Sequence, residues 1–179
     1  MRTIALFGGS FDPPHLGHEA IVKALNKLDF IDKIIIMPTF LNPFKSSSVA
    51  PATQRLKWLE EIFSRMEKVK VSSFEVNQNR KVSTLETVKH LLKSYEKIYL
   101  VIGADNLKSL EKWQGFDELK RRVTFIVATR EKIEIPKDFI CLEIDEDVSS
   151  SSLRNSINGD KLSKINAKKI VTYYKENNE

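Results

Sequence analysis

Two histidines three residues apart, His15 and His18 in the segment GGSFDPPHLGH, are the side chains of this 179-residue sequence whose types and spacing most directly imply chemistry. An imidazole N–H is a hydrogen-bond donor to a phosphate oxygen. If a helix begins near His15, residues three apart lie on one face, one turn apart, and both rings can address one anion. The glycines around them point the same way. Gly8 and Gly9 leave backbone amides open to a phosphate just ahead of a helix N-terminus, which attracts anions. Gly17 leaves room for a base or ribose to lie close to the chain. A second set, Ser149 to Ser152 followed by Arg154, offers hydroxyls, amides and a fixed charge at another expected helix start.

Plainer readings exist for the same residues. Two histidines are a possible zinc pair, but Cys141 is the only cysteine and His90 is distant in sequence, so the usual four-ligand set has no support and no protein-held metal is expected. Pro13 and Pro14 can shape a turn around packed histidines, and a serine run is often a solvated loop. Neither GxGxxG nor GxxxxGK[ST] occurs, which excludes the ordinary dinucleotide fingerprint and the phosphate-binding loop.

The elements that must position these groups follow from hydrophobic spacing. Apolar runs at Thr3–Gly8, Lys33–Met37, Val69–Phe74, Ile98–Ile102, Val123–Ala128 and Phe139–Ile144 read as buried strands. Between them, helical spacing appears over Leu16–Leu28, Ala52–Met66, Thr84–Tyr95 with Ser83 or Thr84 as cap, and Asn106–Arg121 with an interruption near Gly115. A short helix is expected from the Ser149–Ser152 turn and an amphipathic one over Ala167–Lys175. Apolar strands alternating with helices predict an α/β fold, a doubly wound and mostly parallel sheet. We expect one domain over residues 1–179, with a C-terminal helical segment from about 149 to 179 packing on it. Ligands bind such sheets at the carboxyl ends of strands, near the point where strand order reverses. Gly8–His18, Gly103–Asp105 and Ser149–Arg154 all fall at such ends, so one site assembled from the whole chain is expected.

Composition bounds the partners. Hydrophobic residues make up 41% and charged residues 30%, a globular mixture rather than a disordered one. Lys and Arg total 29 against 24 Asp and Glu, a net charge of +5, which suits anionic ligands. The basic residues are dispersed, with only short pairs such as Arg121–Arg122, so a nucleic-acid groove is not expected. A nucleic-acid-binding module or a non-catalytic nucleotide sensor is the non-enzyme alternative, and steep salt dependence would mark the former. A single cysteine and the lack of a signal-like or membrane-length apolar run predict a cytoplasmic protein with no membrane partner. Oligomeric state is not legible.

GGSFDPPHLGH together with VSSSSLR (Val148–Arg154) resembles the His-x-x-His nucleotidyltransferases, and among them the bacterial nicotinate-nucleotide adenylyltransferases. The similarity covers nearly the whole chain: a loop from Pro38 to Lys45, a helix led by Arg55, IGAD, Trp113 and a strand ending at Arg130 follow the family's order. The resemblance implies a Rossmann-like nucleotidyltransferase fold and transfer of AMP from ATP to nicotinate mononucleotide, with Mg²⁺ bound mainly through the ATP phosphates. Pantetheine-phosphate adenylyltransferase or another small-molecule nucleotidyltransferase is the alternative within the family.

Residue by residue, the resemblance implies an ATP site over Gly8, Gly9, Ser10, Phe11, His15, Gly17, His18, Gly103, Asp105, Ser149, Ser151 and Arg154. The catalytic set is His18, which faces the reacting phosphorus, with His15, Lys45 and Arg154. Acceptor contacts fall to Lys45, Ser83, Thr84, Trp113 and Arg130. Other readings stay open at several of these. Lys45 is equally an ordinary solvated lysine, Asp105 a ribose ligand or a cap for a helix from Asn106, Trp113 a stacking or a core residue, Thr84 a helix cap, and Arg130 a phosphate ligand or a strand end. The chain departs from the family where Asn42-Pro43-Phe44-Lys45 replaces a PPHK or PPHR element, and where Val82-Ser83-Thr84 replaces Ser-Tyr-Thr.

Overall fold

The unbroken apolar strands bury both faces. In the computed structural model, which describes residues 2–42, 47–131, 133–145 and 150–177, strands β1 (Thr3–Gly9), β2 (Lys33–Pro38), β3 (Val69–Val71), β4 (Lys97–Gly103), β5 (Val123–Thr129) and β6 (Ile140–Glu143) form one sheet. Every pairing is parallel, in the order β3-β2-β1-β4-β5-β6. Successive side chains on a strand point to opposite faces. On β1, Ala5 and Phe7 therefore join one apolar layer, while Ile4 and Leu6 join the other.

Helices α1 (Leu16–Asn26) and α2 (Ala52–Phe63) cover the first face, through Val22, Leu25, Leu59, Ile62 and Phe63. The short α3 (Phe74–Asn77) follows β3, and α4 (Thr84–Leu91), the single-turn α5 (Ala104–Leu107) and α6 (Phe116–Arg122) belong to the other face, which buries Val88, Leu91 and Leu119. Two further helices, α7 (Ser150–Asn155) and α8 (Ala167–Asn177), pack on the outer side of α2, where Leu153, Ile170 and Tyr174 surround Trp58, itself 2% exposed. Among the described residues no helix is long and apolar enough to cross a membrane.

The larger shifts from the expected boundaries each have a local reason. The third strand stops at Val71 instead of reaching Phe74: the Ser72 hydroxyl accepts from the Phe74 amide at 3.2 Å, turning the chain into α3. The helix expected over Asn106–Arg121 is α5, a 3₁₀ turn at Leu110–Lys112 and α6, with Gly115 at φ 68° between the last two. Helices α1, α2 and α4 stop at Asn26, Phe63 and Leu91, short of Leu28, Met66 and Tyr95, because those three apolar residues belong to the following turns and still pack on the sheet.

Gly115 is a position where only glycine fits. Its φ is left-handed, and an added Cβ would lie 2.4 Å from Leu85 Cδ2. Gly115→Ala is expected to destabilise the fold by about 1–3 kcal/mol, read as a lowered urea midpoint at unchanged slope; a midpoint within error of the parent would refute this account of the turn.

Candidate active site

Strands β1 and β4 lie side by side at the centre of the sheet, with later strands added outward on each side, so their carboxyl ends flank the crevice at the strand-order reversal. Gly8 and Gly9 end β1, and Gly103 ends β4. A Cβ on Gly103 would meet nothing within 4 Å, and one on Gly8 only the Met37 carbonyl at 3.6 Å. Packing does not require glycine at either place. What their small size leaves is open space at the crevice.

The chain leaves β1 through a tightly held loop. Phe11 adopts φ 50°, a conformation that costs a non-glycine residue on the order of 1–2 kcal/mol. Its ring is 2% exposed, with centroids 5.4 Å from Phe7 and 4.7 Å from His18, so the side chain anchors the loop to the core. His15 then caps α1. Its Nδ1 accepts from the Gly17 amide at 3.0 Å, and His18 Nδ1 accepts from the His15 amide at 3.0 Å, a capping box built from two imidazoles. The rings stack with centroids 3.6 Å apart and planes 19° apart.

That arrangement fixes the protons. A ring whose Nδ1 accepts a hydrogen bond must, when neutral, carry its proton on Nε2. Neither Nε2 has a hydrogen-bond partner among the described residues. Burial lowers the His15 pKa from 6.5 to about 4. Burial first and the neighbouring His15 second hold His18 well below 6.5. The pair is therefore two neutral N–H donors at neutral pH.

Asp12, 3% exposed, organises the surroundings of this loop. Its carboxylate accepts from the amides of Val49 at 2.8 Å and Ala50 at 3.0 Å, and from the Tyr174 hydroxyl of α8. Arg55 of α2, fully buried, donates to the carbonyls of Ser10, Phe40 and Ala50. Burial lowers the Arg55 pKa, with Asp12 and Tyr174 opposing that; burial and the Asp12 hydrogen bond push the Tyr174 hydroxyl up. Arg154 of α7 donates to the Asp12 carbonyl at 2.7 Å and to Ser151 Oγ at 3.2 Å, and the Ser150 hydroxyl donates to the Pro13 carbonyl at 2.9 Å. The serine-arginine turn thus meets the histidine loop from 142 residues away.

On the other side of Gly8 and Gly9 opens a cavity of about 380 Å³. Ser83, Thr84 and Trp113 line it over an apolar floor that includes Leu6, Met37, Leu100 and Ile102. Ser83, not Thr84, caps α4: its hydroxyl accepts from the Glu86 amide at 3.2 Å. The Thr84 amide, first in the helix, has no partner among the described residues. Glu75, 6% exposed, also lines the cavity and accepts from the Thr87 hydroxyl at 2.7 Å.

The structure thus gathers His15, Gly17, His18, Ser10, Phe11, Ser151 and Arg154 around the first loop, and Ser83, Thr84 and Trp113 around the cavity, with Gly8 and Gly9 between. Two further expected residues are exposed. Asp105 is exposed in the first turn of α5 and does not cap it, since Gly103 holds that position; Arg130 is exposed just past β5. Neither lines the cavity. Lys45 and Ser149, with Phe44, lie outside the described residues. Sequence reasoning gave no role to Asp12, Tyr174 or Glu75. Arg55 carried a readable signal, because it falls on the apolar stripe Ala52, Leu59, Ile62 of its own helix, where a charge needs a reason.

The cytidylyltransferase-like family model matches residues 6–156. A Sulfurimonas denitrificans protein named "probable nicotinate-nucleotide adenylyltransferase" is 64% identical over 176 residues, covering 98% of this chain and 97% of the relative. A Campylobacter fetus protein of the same name is 47% identical over 178 residues, covering 98% of each. The chain belongs to the nicotinate-nucleotide adenylyltransferase family. The solved structure of Plasmodium falciparum nicotinic acid mononucleotide adenylyltransferase complexed with NaAD superposes with a TM-score of 0.82 at 20% identity over 100% of both chains, which shows that this family member shares its Rossmann-like fold.

The unfolded chain binds more protons at these imidazoles than the folded one between pH about 4 and 6.5. Stability is therefore lost as pH falls through that window, by about 3 kcal/mol from His15 at its acid end. In an NMR titration both rings are expected to keep the Nε2–H tautomer from pH 7 down to about 5; a midpoint near 6.5 for either would contradict the buried, accepting geometry.

Proposed function

We propose that this protein transfers AMP from ATP to nicotinate mononucleotide, giving deamido-NAD and diphosphate, with the triphosphate at the histidine loop and the acceptor in the cavity beyond Gly8 and Gly9. The observation that carries the reading is adjacency: two neutral Nε2–H donors and Arg154 stand on one side of a glycine pair, and a cavity with an aromatic wall lies on the other. The acceptor's 5′-phosphate is already an anion at neutral pH, so the reaction asks for positioning and charge stabilisation rather than a general base.

Attack on the α-phosphorus gathers negative charge on its equatorial oxygens while diphosphate leaves. His18 is assigned to the former oxygens and His15 to a neighbouring phosphate. Arg154, Ser150 and Ser151 serve the departing diphosphate from α7. ATP enters as its magnesium complex. The donors around the loop are imidazole, hydroxyl and guanidinium groups rather than a cage of carboxylates, which suits an ion carried by the triphosphate's own oxygens. On the acceptor side, the open Thr84 amide at the N-terminus of α4 suits a ring carboxylate, and the Trp113 face suits an electron-poor pyridine ring. Cys141 is free and exposed, which fits our placement of the protein in the reducing cytoplasm.

Incubating the protein with ATP and Mg²⁺ and offering nicotinate mononucleotide, nicotinamide mononucleotide or phosphopantetheine separately tests the acceptor; diphosphate release fastest with phosphopantetheine would overturn it. His18→Ala is expected to lower kcat by roughly 10²- to 10³-fold while the KM for ATP changes far less, and near-parental turnover would remove His18 from the chemistry. Trp113→Ala should raise the acceptor KM roughly tenfold with little effect on ATP; an equal rise for both substrates counts against stacking.

A further inference from the structure

The cavity beside Trp113 leaves two polar groups for its occupant to satisfy. Thr39 Oγ1 is buried with no hydrogen-bond partner. Glu75 uses one carboxyl oxygen to accept from Thr87 Oγ1, and the other has no partner among the described residues. Around them the wall is largely apolar, with Leu6, Met37, Val82, Leu100 and Ile102. A buried carboxylate in such surroundings is costly, and one facing a second anion more so.

We infer that Glu75 is a specificity-determining residue of the acceptor pocket: it holds a proton while a carboxylate-bearing acceptor is bound and excludes that acceptor when ionised, so acceptor binding and proton uptake are coupled. This rests on the acceptor reading above. The protonated carboxyl keeps its bond from Thr87 and offers an O–H to the occupant. The ionised form offers only oxygen lone pairs and a repelling charge.

The charged groups near Glu75 leave this requirement standing. On α4, Glu86 raises the Glu75 pKa and is itself paired with the exposed Arg80. Lys81 and Lys112 line the same cavity, and both are exposed. His90 of α4 lies flat on the ring of Phe74, centroids 3.8 Å apart. Neither β2, whose one charged residue is Lys33 at its amino end, nor α2 adds a charge that moves the Glu75 proton. Burial is the largest influence and raises the carboxyl to about 7, with the Thr87 hydrogen bond acting the other way.

The test is the ratio of KM for nicotinate mononucleotide to KM for nicotinamide mononucleotide, whose ring substituent is uncharged, measured from pH 6.5 to 9. The ratio is expected to stay level up to about pH 7 and then climb roughly tenfold per pH unit. Glu75→Gln, a permanently neutral donor, should remove the climb and bind nicotinate mononucleotide at pH 8.5 roughly thirtyfold tighter than the parent does. A climb of the same slope in Glu75→Gln overturns the inference. Should that variant not fold, calorimetry of the parent at pH 8 in buffers of different ionisation enthalpy decides: uptake of close to one proton with nicotinate mononucleotide and none with nicotinamide mononucleotide supports it, and equal uptake with both overturns it. Lack of diphosphate release with nicotinate mononucleotide at pH 6.5 overturns the acceptor reading and this inference together. Normal release with a level ratio overturns this inference alone.

Discussion

Asp12 is 3% exposed, and a carboxylate so buried keeps its charge only if donors surround it. Two backbone amides and a tyrosine hydroxyl do so, and the guanidinium of Arg55 adds its field. These groups come from three parts of the chain: the segment entering α2, α8 at the C-terminal end, and α2 itself. Arg55 in turn spends its N–H groups on three carbonyls, two of them in the loop after β1 and the loop after β2. One compensated charge therefore ties together the pieces that a parallel sheet alone would leave as independent loops. The conformation of Phe11 survives because both sides of it are fastened, its ring in the core and the Asp12 carboxylate in this network.

The same economy of donors appears at the head of α1. A helix N-terminus presents N–H groups without acceptors. Here two imidazoles accept at Nδ1 from the amides of Gly17 and His15, and each carries its own proton on the far nitrogen. The rings thus extend the positive end of the helix outward by the width of an imidazole. Neutrality is part of this. A cationic pair stacked at 3.6 Å would repel itself and would lose the acceptor nitrogens that hold the rings in place.

How much of this could be read from residues alone depended on whether the signal was local. Strand runs such as KIIIM and IYLVI were legible because burial on both faces leaves no polar position, and the parallel sheet followed. The histidine pair and the serine-arginine turn were legible because their residue types are unusual together. Asp12 was not, although it sits inside the quoted segment, because its partners Val49, Ala50 and Tyr174 are 37, 38 and 162 residues away and are ordinary residue types. Glu75 was hidden for a related reason: a strand was expected through Phe74, and the turn at Ser72 that starts α3 depends on one side-chain hydrogen bond. The helix expected from Asn106 to Arg121 failed where a left-handed glycine and a 3₁₀ turn broke a spacing that otherwise looked continuous.

The two halves of the candidate site differ in kind, and the glycine pair explains how they can share a reaction. On the proposed reading, the phosphate side is built from N–H and guanidinium donors on helix ends, and the acceptor side is an apolar cavity with a few polar groups. A transferred phosphorus must be reachable from both, within the near-attack range of about 3–3.5 Å that makes positioning worth several kcal/mol. At the end of β1, Gly8 and Gly9 line the cavity and lead into the histidine loop. A side chain at Gly8 would cost the folded chain little, since the nearest atom to its Cβ is a carbonyl oxygen at ordinary contact distance. On the proposed reading, it would instead project into the space through which the attacking phosphate approaches. On that reading, the pressure for glycine there comes from the reaction, since packing does not demand it.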